Sequence, residues 1–90
     1  NLSDEPMPVS VGFHPYFLAD APTIDGATAK IPACRYLEFE GLVPTGKILS
    51  TEGSPLDFRK AKEIGGARLN FCFTDLVRDS QGLAWAELAN

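Results

Sequence analysis

The 90-residue chain lacks clusters of basic residues and long hydrophobic runs, and both absences exclude classes of function. Its eight Lys and Arg residues are scattered, and the formal net charge is −4. Because nucleic-acid phosphates are bound by clustered Lys and Arg, this balance argues against a nucleic-acid partner. No apolar run approaches the roughly 18 residues that a bilayer-spanning helix requires, and no segment has the pattern of a signal peptide. We therefore expect no membrane partner and a cytoplasmic location.

Cysteine is also scarce. Cys34 and Cys72 lie far apart in the sequence, in no CxxC motif and with no neighbouring histidine, so they do not indicate a zinc site. The sequence predicts two buried free thiols. A disulfide between them stays open at this point, because the sequence does not give the distance between the two residues.

Local patterns predict an all-β chain with little helix. Short β-prone runs are interrupted by Pro and Gly, and amphipathic helical stretches of ordinary length are missing. One helical turn is predicted over residues 58–64, ended by Gly65 and Gly66. The predicted strands cover residues 9–13, 16–18, 28–31, 35–39, 47–50, 69–73 and 83–88.

Two further local features are specific enough to test. Residues 36–40 alternate imperfectly between apolar and polar side chains, which predicts Leu37 and Phe39 on one face and Tyr36, Glu38 and Glu40 on the other. Residues 78–82 form a polar segment that ends in glycine and predicts a turn between the last two strands.

The only histidine, His14, lies in the segment Gly-Phe-His-Pro-Tyr-Phe at residues 12–17. Imidazole is the one side chain whose ordinary pKa lies near physiological pH, so His14 beside aromatic rings is a candidate acid/base group. The alternative is a packed or hydrogen-bonded structural histidine, which is the more frequent role of a lone histidine among rings.

The surrounding sequence resembles the aldose 1-epimerase (galactose mutarotase) family. The resemblance begins with Asn-Leu-Ser-Asp-Glu-Pro-Met-Pro at residues 1–8 and the segment around His14. Further landmarks follow in the family's order: Val-Pro-Thr-Gly at residues 43–46, Gly-Ser-Pro-Leu-Asp-Phe-Arg at 53–59, Ile-Gly at 64–65, and Leu-Asn-Phe-Cys-Phe-Thr-Asp-Leu at 69–76. Nearly the whole chain is covered by this resemblance.

The resemblance implies a large antiparallel β-sandwich, the galactose mutarotase-like supersandwich, with a sugar site on one concave face. Ninety residues are too few for that fold, so we interpret residues 1–90 as a single partial domain, the central portion of such a sandwich. Sheet edges and core faces would then be exposed, which predicts self-association of the chain through its sheet edges when it is studied alone.

The activity that the resemblance implies is interconversion of the α and β anomers of an aldose sugar, with no cofactor and no metal. His14 matches the family's catalytic histidine and is the expected acid, while the glutamate base comes from family sequence beyond residue 90. Tyr16 matches a position that lines the sugar site. Asn70 stands where related sequences usually carry a sugar-binding aspartate, so it is an expected substrate-binding residue that brings no charge.

Two other functions remain open: a carbohydrate-binding relative without turnover, which Asn70 favours, and a structural fragment that is inactive alone. Asp57 and Arg59 are expected to form a structural turn or ion pair rather than to contact sugar. Trp85 is interpreted as a core or strand-pairing residue. The remaining glutamates lie in no matching motif and are expected to be solvated: Glu38, Glu40, Glu52, Glu63 and Glu87.

Overall fold

Six short strands in two antiparallel sheets make up nearly all of the regular structure. A computed structural model describes residues 1–20 and 22–90. The first sheet has the order β4-β1-β6 and the second the order β3-β2-β5. The strands are β1 (Thr28–Lys30), β2 (Ala33–Glu40), β3 (Val43–Ser50), β4 (Lys62–Glu63), β5 (Phe73–Leu76) and β6 (Glu87–Ala89), with one 3-10 helix at Ile24–Gly26. The predicted all-β, sandwich-type architecture with little helix is confirmed.

The longest strand pair is the β2–β3 hairpin, whose regular register is interrupted once. Leu37 pairs with Ile48 and Phe39 pairs with Pro44, so Glu38 alone faces three residues of β3. Such a bulge needs a residue that accepts an unusual backbone angle, and Gly46 supplies it with φ of +88°. Bulges of this kind locally disrupt the pairing of a strand and bend it.

The Glu38 side chain closes this bulge. Its Oε2 atom accepts a 2.7 Å hydrogen bond from the Thr45 hydroxyl and lies 3.3 Å from Lys47 Nζ. The hydrogen bond from Thr45 and the charge of Lys47 hold the pKa of Glu38 below its usual value. Glu38 is therefore half-buried and bonded within the sheet, unlike the solvated surface residue that the sequence predicts.

The predicted alternation over residues 36–40 is wrong in detail. A strict alternation would place Tyr36 and Phe39 on opposite faces, yet both rings pack against Phe71, with centroid separations of 5.4 Å and 6.5 Å. The register shift between Leu37 and Phe39 lies within this stretch, and a bulge increases the local twist of a strand pair, so the two rings need not keep the orientation of a regular strand.

The core is small and centres on one aromatic side chain. Phe58, only 1% exposed, packs with Ala27, Ala29 and Ile64. Backbone hydrogen bonds join the same pieces of chain, from Ile31 N to Phe58 O at 2.8 Å and from Ile64 N to Ala27 O at 2.9 Å.

The helical turn predicted over residues 58–64 is wrong, because this stretch is extended and contains β4. Glu63 pairs with Thr28 of β1, and Phe58 and Ile64 reach one core from the two ends of the stretch. Phe58 O accepts a hydrogen bond from Ile31 N and Ile64 N donates one to Ala27 O, so these two groups bond to the β1 region and not within a helical turn.

Residues 1–18 lack strand structure, which corrects the predicted strands at 9–13 and 16–18. Their side chains are exposed, including Phe13 at 92%. The β-propensity of the segment is real, but a strand needs a neighbour for its hydrogen bonds, and none of the described residues pairs with this stretch.

The other predictions are confirmed with shifted bounds. β1, β2 and β3 overlap the predicted strands, with β3 beginning four residues earlier than expected. The last two strands are displaced toward the C-terminus, since β5 begins only at Phe73 and β6 only at Glu87. Both thiols are free, as predicted, but Cys34 is only half-buried and Cys72 is exposed.

Replacing Phe58 tests whether this small core holds the fold together. Phe58→Ala should cost about 3–5 kcal/mol of unfolding free energy, because it removes the largest fully buried side chain and leaves a cavity. A loss of that size is a large share of the stability of a chain this short, so urea unfolding followed by circular dichroism should lose its cooperative transition.

The matched control is Phe13→Ala, which removes the same ring from an exposed position and should leave the urea midpoint nearly unchanged. Equal shifts in both variants would show that the Phe58 cluster does not organise the fold.

Candidate functional site

His14 and Tyr16 lie next to each other on the exposed N-terminal segment. Their ring centroids are 4.9 Å apart and the ring planes are inclined by 31°. Pro15 lies between them, and alternate residues of an extended chain point to the same side, so the two rings come together without help from a sheet. Tyr16 is 90% exposed and His14 is also exposed. The structure thus presents an imidazole and a phenol together on an open surface.

Asn70 lies in a separate groove of about 380 Å³ beside the β2–β3 hairpin. The ring of Phe71 packs against Tyr36 and Phe39, and the carbonyl of Cys72 accepts a 2.9 Å hydrogen bond from Leu37 N. These contacts fix the backbone on which Asn70 stands. The groove is lined by Phe39, Gly41, Leu42, Asn70, Phe71 and Cys72.

The three candidate residues therefore occupy two places. His14 and Tyr16 form one pair, and among the described residues neither of them lines the groove that contains Asn70. The pair offers an acid/base group and a hydroxyl, whereas the groove offers a neutral amide, which both donates and accepts hydrogen bonds, between apolar walls.

Asp57 and Arg59 form the ion pair that the sequence predicts. Arg59 Nε donates to Asp57 Oδ1 at 2.9 Å and Arg59 Nη2 donates to Asp57 Oδ2 at 2.7 Å, while Arg59 N approaches Oδ1 at 3.3 Å. Glu52 lies 3.6 Å from the same guanidinium. This bidentate bond lowers the pKa of Asp57 to about 2 and raises the pKa of Arg59. The two bonded side chains come from the residues on either side of the core residue Phe58.

The sequence does not identify Asp79 as an organising residue, although it lies in the predicted polar turn. Asp79 Oδ1 accepts hydrogen bonds from Gln81 N at 2.8 Å and Leu83 N at 2.9 Å, and Oδ2 accepts one from Trp85 Nε1 at 2.9 Å. The bond from Trp85 is the main reason that the pKa of Asp79 is lowered. An aspartate that opens a glycine-containing turn is the available sequence signal, because its carboxylate bonds the backbone two residues on.

Trp85 differs from its predicted role. Its side chain is 60% exposed and lies before β6, so it is neither a core residue nor part of a strand pair. The bond to Asp79 satisfies its indole N–H and leaves the ring face open.

Neither a metal-binding cluster nor a membrane-spanning helix is found among the described residues. Within residues 1–20 and 22–90, no three His, Cys, Asp or Glu side chains are grouped so that they could hold a metal ion. The described part of the chain also contains no helix with the length and hydrophobicity needed to cross a bilayer.

Comparison with known families agrees with the sequence resemblance. The family model described as aldose 1-epimerase matches residues 1–84. An all-β chain with this match is a carbohydrate epimerase-like protein, and a sugar is the substrate that the family implies. The chain belongs to the aldose 1-epimerase family. No match was found among curated proteins or among solved structures.

The Asp57–Arg59 bond predicts acid sensitivity in a defined window. The folded-state pKa of Asp57 is about 2 against 3.8 for the free carboxyl, so the stabilisation is fully present above pH 3.8 and is lost as the pH falls toward 2. Urea midpoints measured from pH 5 to pH 2 should therefore fall, and Asp57→Asn should flatten this fall.

Asp4→Asn is the control, since Asp4 is an exposed carboxyl of the N-terminal segment and its removal should leave the pH profile as in the unmodified chain. A profile that is equally steep with and without Asp57 would contradict the assignment.

Proposed function

We propose that this chain is part of an aldose 1-epimerase that interconverts the α and β anomers of a hexose, with His14 as the general acid. The observation that carries the proposal is the exposed His14–Tyr16 ring pair, 4.9 Å apart, within the family-matched residues. Tyr16 and Asn70 are assigned to sugar binding in the complete sandwich, where the N-terminal segment and the groove that contains Asn70 would have to come together. Membership of the family supports the reaction class, and the exposure of both rings supports access of a ligand to them.

The reaction needs only two proton transfers. The His14 imidazolium protonates the ring oxygen of the hemiacetal, while a base takes the proton of the anomeric hydroxyl, and the ring opens to the aldehyde. Rotation about the C1–C2 bond and closure on the other face give the other anomer, with both protons returned. No cofactor or metal takes part in this scheme. An imidazole suits it, because its ordinary pKa lets it both give and take a proton near neutral pH.

The base is assigned to protein outside these 90 residues. Among the described residues, no hydrogen bond or ion pair joins His14 to a carboxylate, and the glutamates with charged partners are engaged elsewhere: Glu38 with Lys47, Glu52 with Arg59 and Glu87 with Lys30. None of these three ion pairs involves the N-terminal segment that carries His14.

Surface exposure supports the interpretation of the chain as a partial domain. The radius of gyration is 16.2 Å, against about 12 Å expected for a compact chain of this length. Large apolar side chains stay exposed on the N-terminal segment and on the edge strand β3, where Val43 and Ile48 face solvent. Added protein, or a second copy paired along a sheet edge, would cover this surface.

A carbohydrate-binding relative without turnover is the second candidate. Asn70 favours it, since an amide makes weaker hydrogen bonds to sugar hydroxyls than a carboxylate does and provides no charge. His14 opposes it, because a binding site has no need of a proton donor beside the sugar ring.

Replacing His14 tests the assigned acid. Polarimetry of freshly dissolved α-D-galactose and α-D-glucose should show that His14→Ala lowers the catalysed rate by about 10²–10⁴-fold in a protein that contains the complete sandwich. Val11→Ala, an exposed change in the same segment, should keep the activity. A His14→Ala rate within a few-fold of the unmodified rate would contradict the role.

The same measurement on the 90-residue chain locates the base. Little or no acceleration is expected, because the chain carries the acid alone. Acceleration that depends on His14 would contradict the external base and place it within these residues or across a contact between copies.

Asn70 can be tested by restoring a charge. In a protein that contains the complete sandwich, Asn70→Asp should lower KM for galactose by about 3–10-fold, because charge-assisted hydrogen bonds are about twice as strong as neutral ones, and Asn70→Ala should raise KM. Asn90→Asp adds the same charge at the last residue and should not change KM. A KM that is unchanged in both Asn70 variants would remove this residue from the sugar site.

A further inference from the structure

A second groove, defined here as the Trp85 groove, is lined by neither His14 nor Asn70. It encloses about 330 Å³, which is at the lower end of the range for small-molecule sites. Three basic side chains, an acidic one, a tryptophan and apolar residues surround it. The lining consists of Lys30, Pro32, Arg59, Val77, Arg78, Asp79, Leu83 and Trp85.

The aromatic wall of this groove is held in place. The Asp79 carboxylate bonds the indole N–H at 2.9 Å, and the same carboxylate is tied to the turn by Gln81 N and Leu83 N. The ring therefore keeps its orientation at little further cost in conformational entropy when a ligand arrives. Because the N–H is satisfied, the open face presents only its apolar π surface, which suits the C–H face of a pyranose ring.

The guanidinium of Arg78 lines the same groove as Trp85 and supplies hydrogen-bond donors there. Arg78 Nη1 donates to Gly82 O at 2.8 Å, the only hydrogen bond of this guanidinium within the described part of the chain. A guanidinium carries five N–H donors, so several are left for the hydroxyl oxygens of a bound molecule.

The charged side chains around the Trp85 groove favour a neutral ligand over an anionic one. Lys30 is paired with Glu87 at 2.6 Å and Arg59 with Asp57 at 2.7 Å. Arg78 has no ion pair among the described residues, but the Asp79 carboxylate lines the same groove and lowers the positive potential there. The groove thus has basic side chains but no net excess of positive charge, and a phosphate or carboxylate would gain little over a hydroxyl.

We propose that the Trp85 groove is a second saccharide-binding site, which takes a neutral pyranose with its C–H face on Trp85 and its hydroxyls on Arg78. Membership of a sugar-processing family makes a saccharide the ligand class that the protein meets. The site goes beyond the proposed epimerase function and does not involve His14, so the two can fail separately.

Trp85 is the only tryptophan of the chain, so its fluorescence reports this groove alone. The probe is methyl β-D-glucopyranoside, whose blocked anomeric oxygen prevents ring opening and removes any contribution from turnover. Titration should give a saturable change in emission, with Kd on the order of 1–10 mM for a single sugar. The same change should be seen in His14→Ala.

Variants separate the aromatic wall from the donor. Ligand-detected saturation-transfer NMR should show binding reduced at least tenfold in Trp85→Ala and retained within about threefold in Trp85→Phe, which keeps a ring. Arg78→Gln should weaken binding by about 3–10-fold. Lys47→Gln is the matched control, because it removes a basic charge from β3 outside the groove and should leave binding unchanged.

Three results would overturn the proposal. The first is a Trp85 emission that does not respond to the glycoside. The second is equal binding by Trp85→Ala and by the unmodified chain. The third is glucose 6-phosphate binding more than tenfold tighter than the glycoside, which would show that an uncompensated positive charge governs the groove.

Discussion

The packing of Phe58 against Ala27, Ala29 and Ile64 is the interaction on which the rest of the structure depends. This contact joins the stretch between β3 and β5 to β1. Backbone hydrogen bonds from Ile31 N to Phe58 O and from Ile64 N to Ala27 O join the same two parts of the chain. Few other large side chains are buried, so burial of apolar area is concentrated at this point. The Asp57–Arg59 bond reinforces it, because it joins the two residues that flank Phe58 and restricts the backbone there.

Sequence patterns predicted those strands whose partners are also in the chain. β1, β2 and β3 were expected because β-prone runs are bounded there by Pro and Gly, and each of these strands finds an antiparallel neighbour. The run at residues 9–13 has the same local character but no neighbour, so it stays unpaired. Propensity gives the tendency of a residue, whereas a strand also needs the hydrogen bonds of a second strand, which local patterns do not reveal.

Sequence patterns also do not predict the bulge opposite Glu38 or the extended β4, because both depend on the partner strand. A three-to-one register mismatch depends on how two strands meet, and the apolar alternation of β2 carries no information about its partner. For the candidate site, the family-like segments identified His14, Tyr16 and Asn70, and proximity in sequence gave the His14–Tyr16 contact. The placement of Asn70 in a groove that neither ring lines is a tertiary property. The bond between Trp85 and Asp79 is local, but the sequence pattern of the turn does not show which side chain the carboxylate binds.

His14 is exposed and the core is small because the apolar side chains of residues 1–18 stay exposed and do not join the core. This exposure matters for acid catalysis. General acid catalysis and hydrogen bonds to a developing charge are most effective where water is excluded, because the local dielectric is low there. A ring pair at the surface of an extended segment has no such environment, since solvent screens each of its interactions. The protein that covers the apolar side chains of residues 1–18 would also remove water from His14 and Tyr16. Under the proposed function, the protein that covers these side chains would complete the core and would also create the medium in which His14 transfers its proton, so the two changes would be a single event.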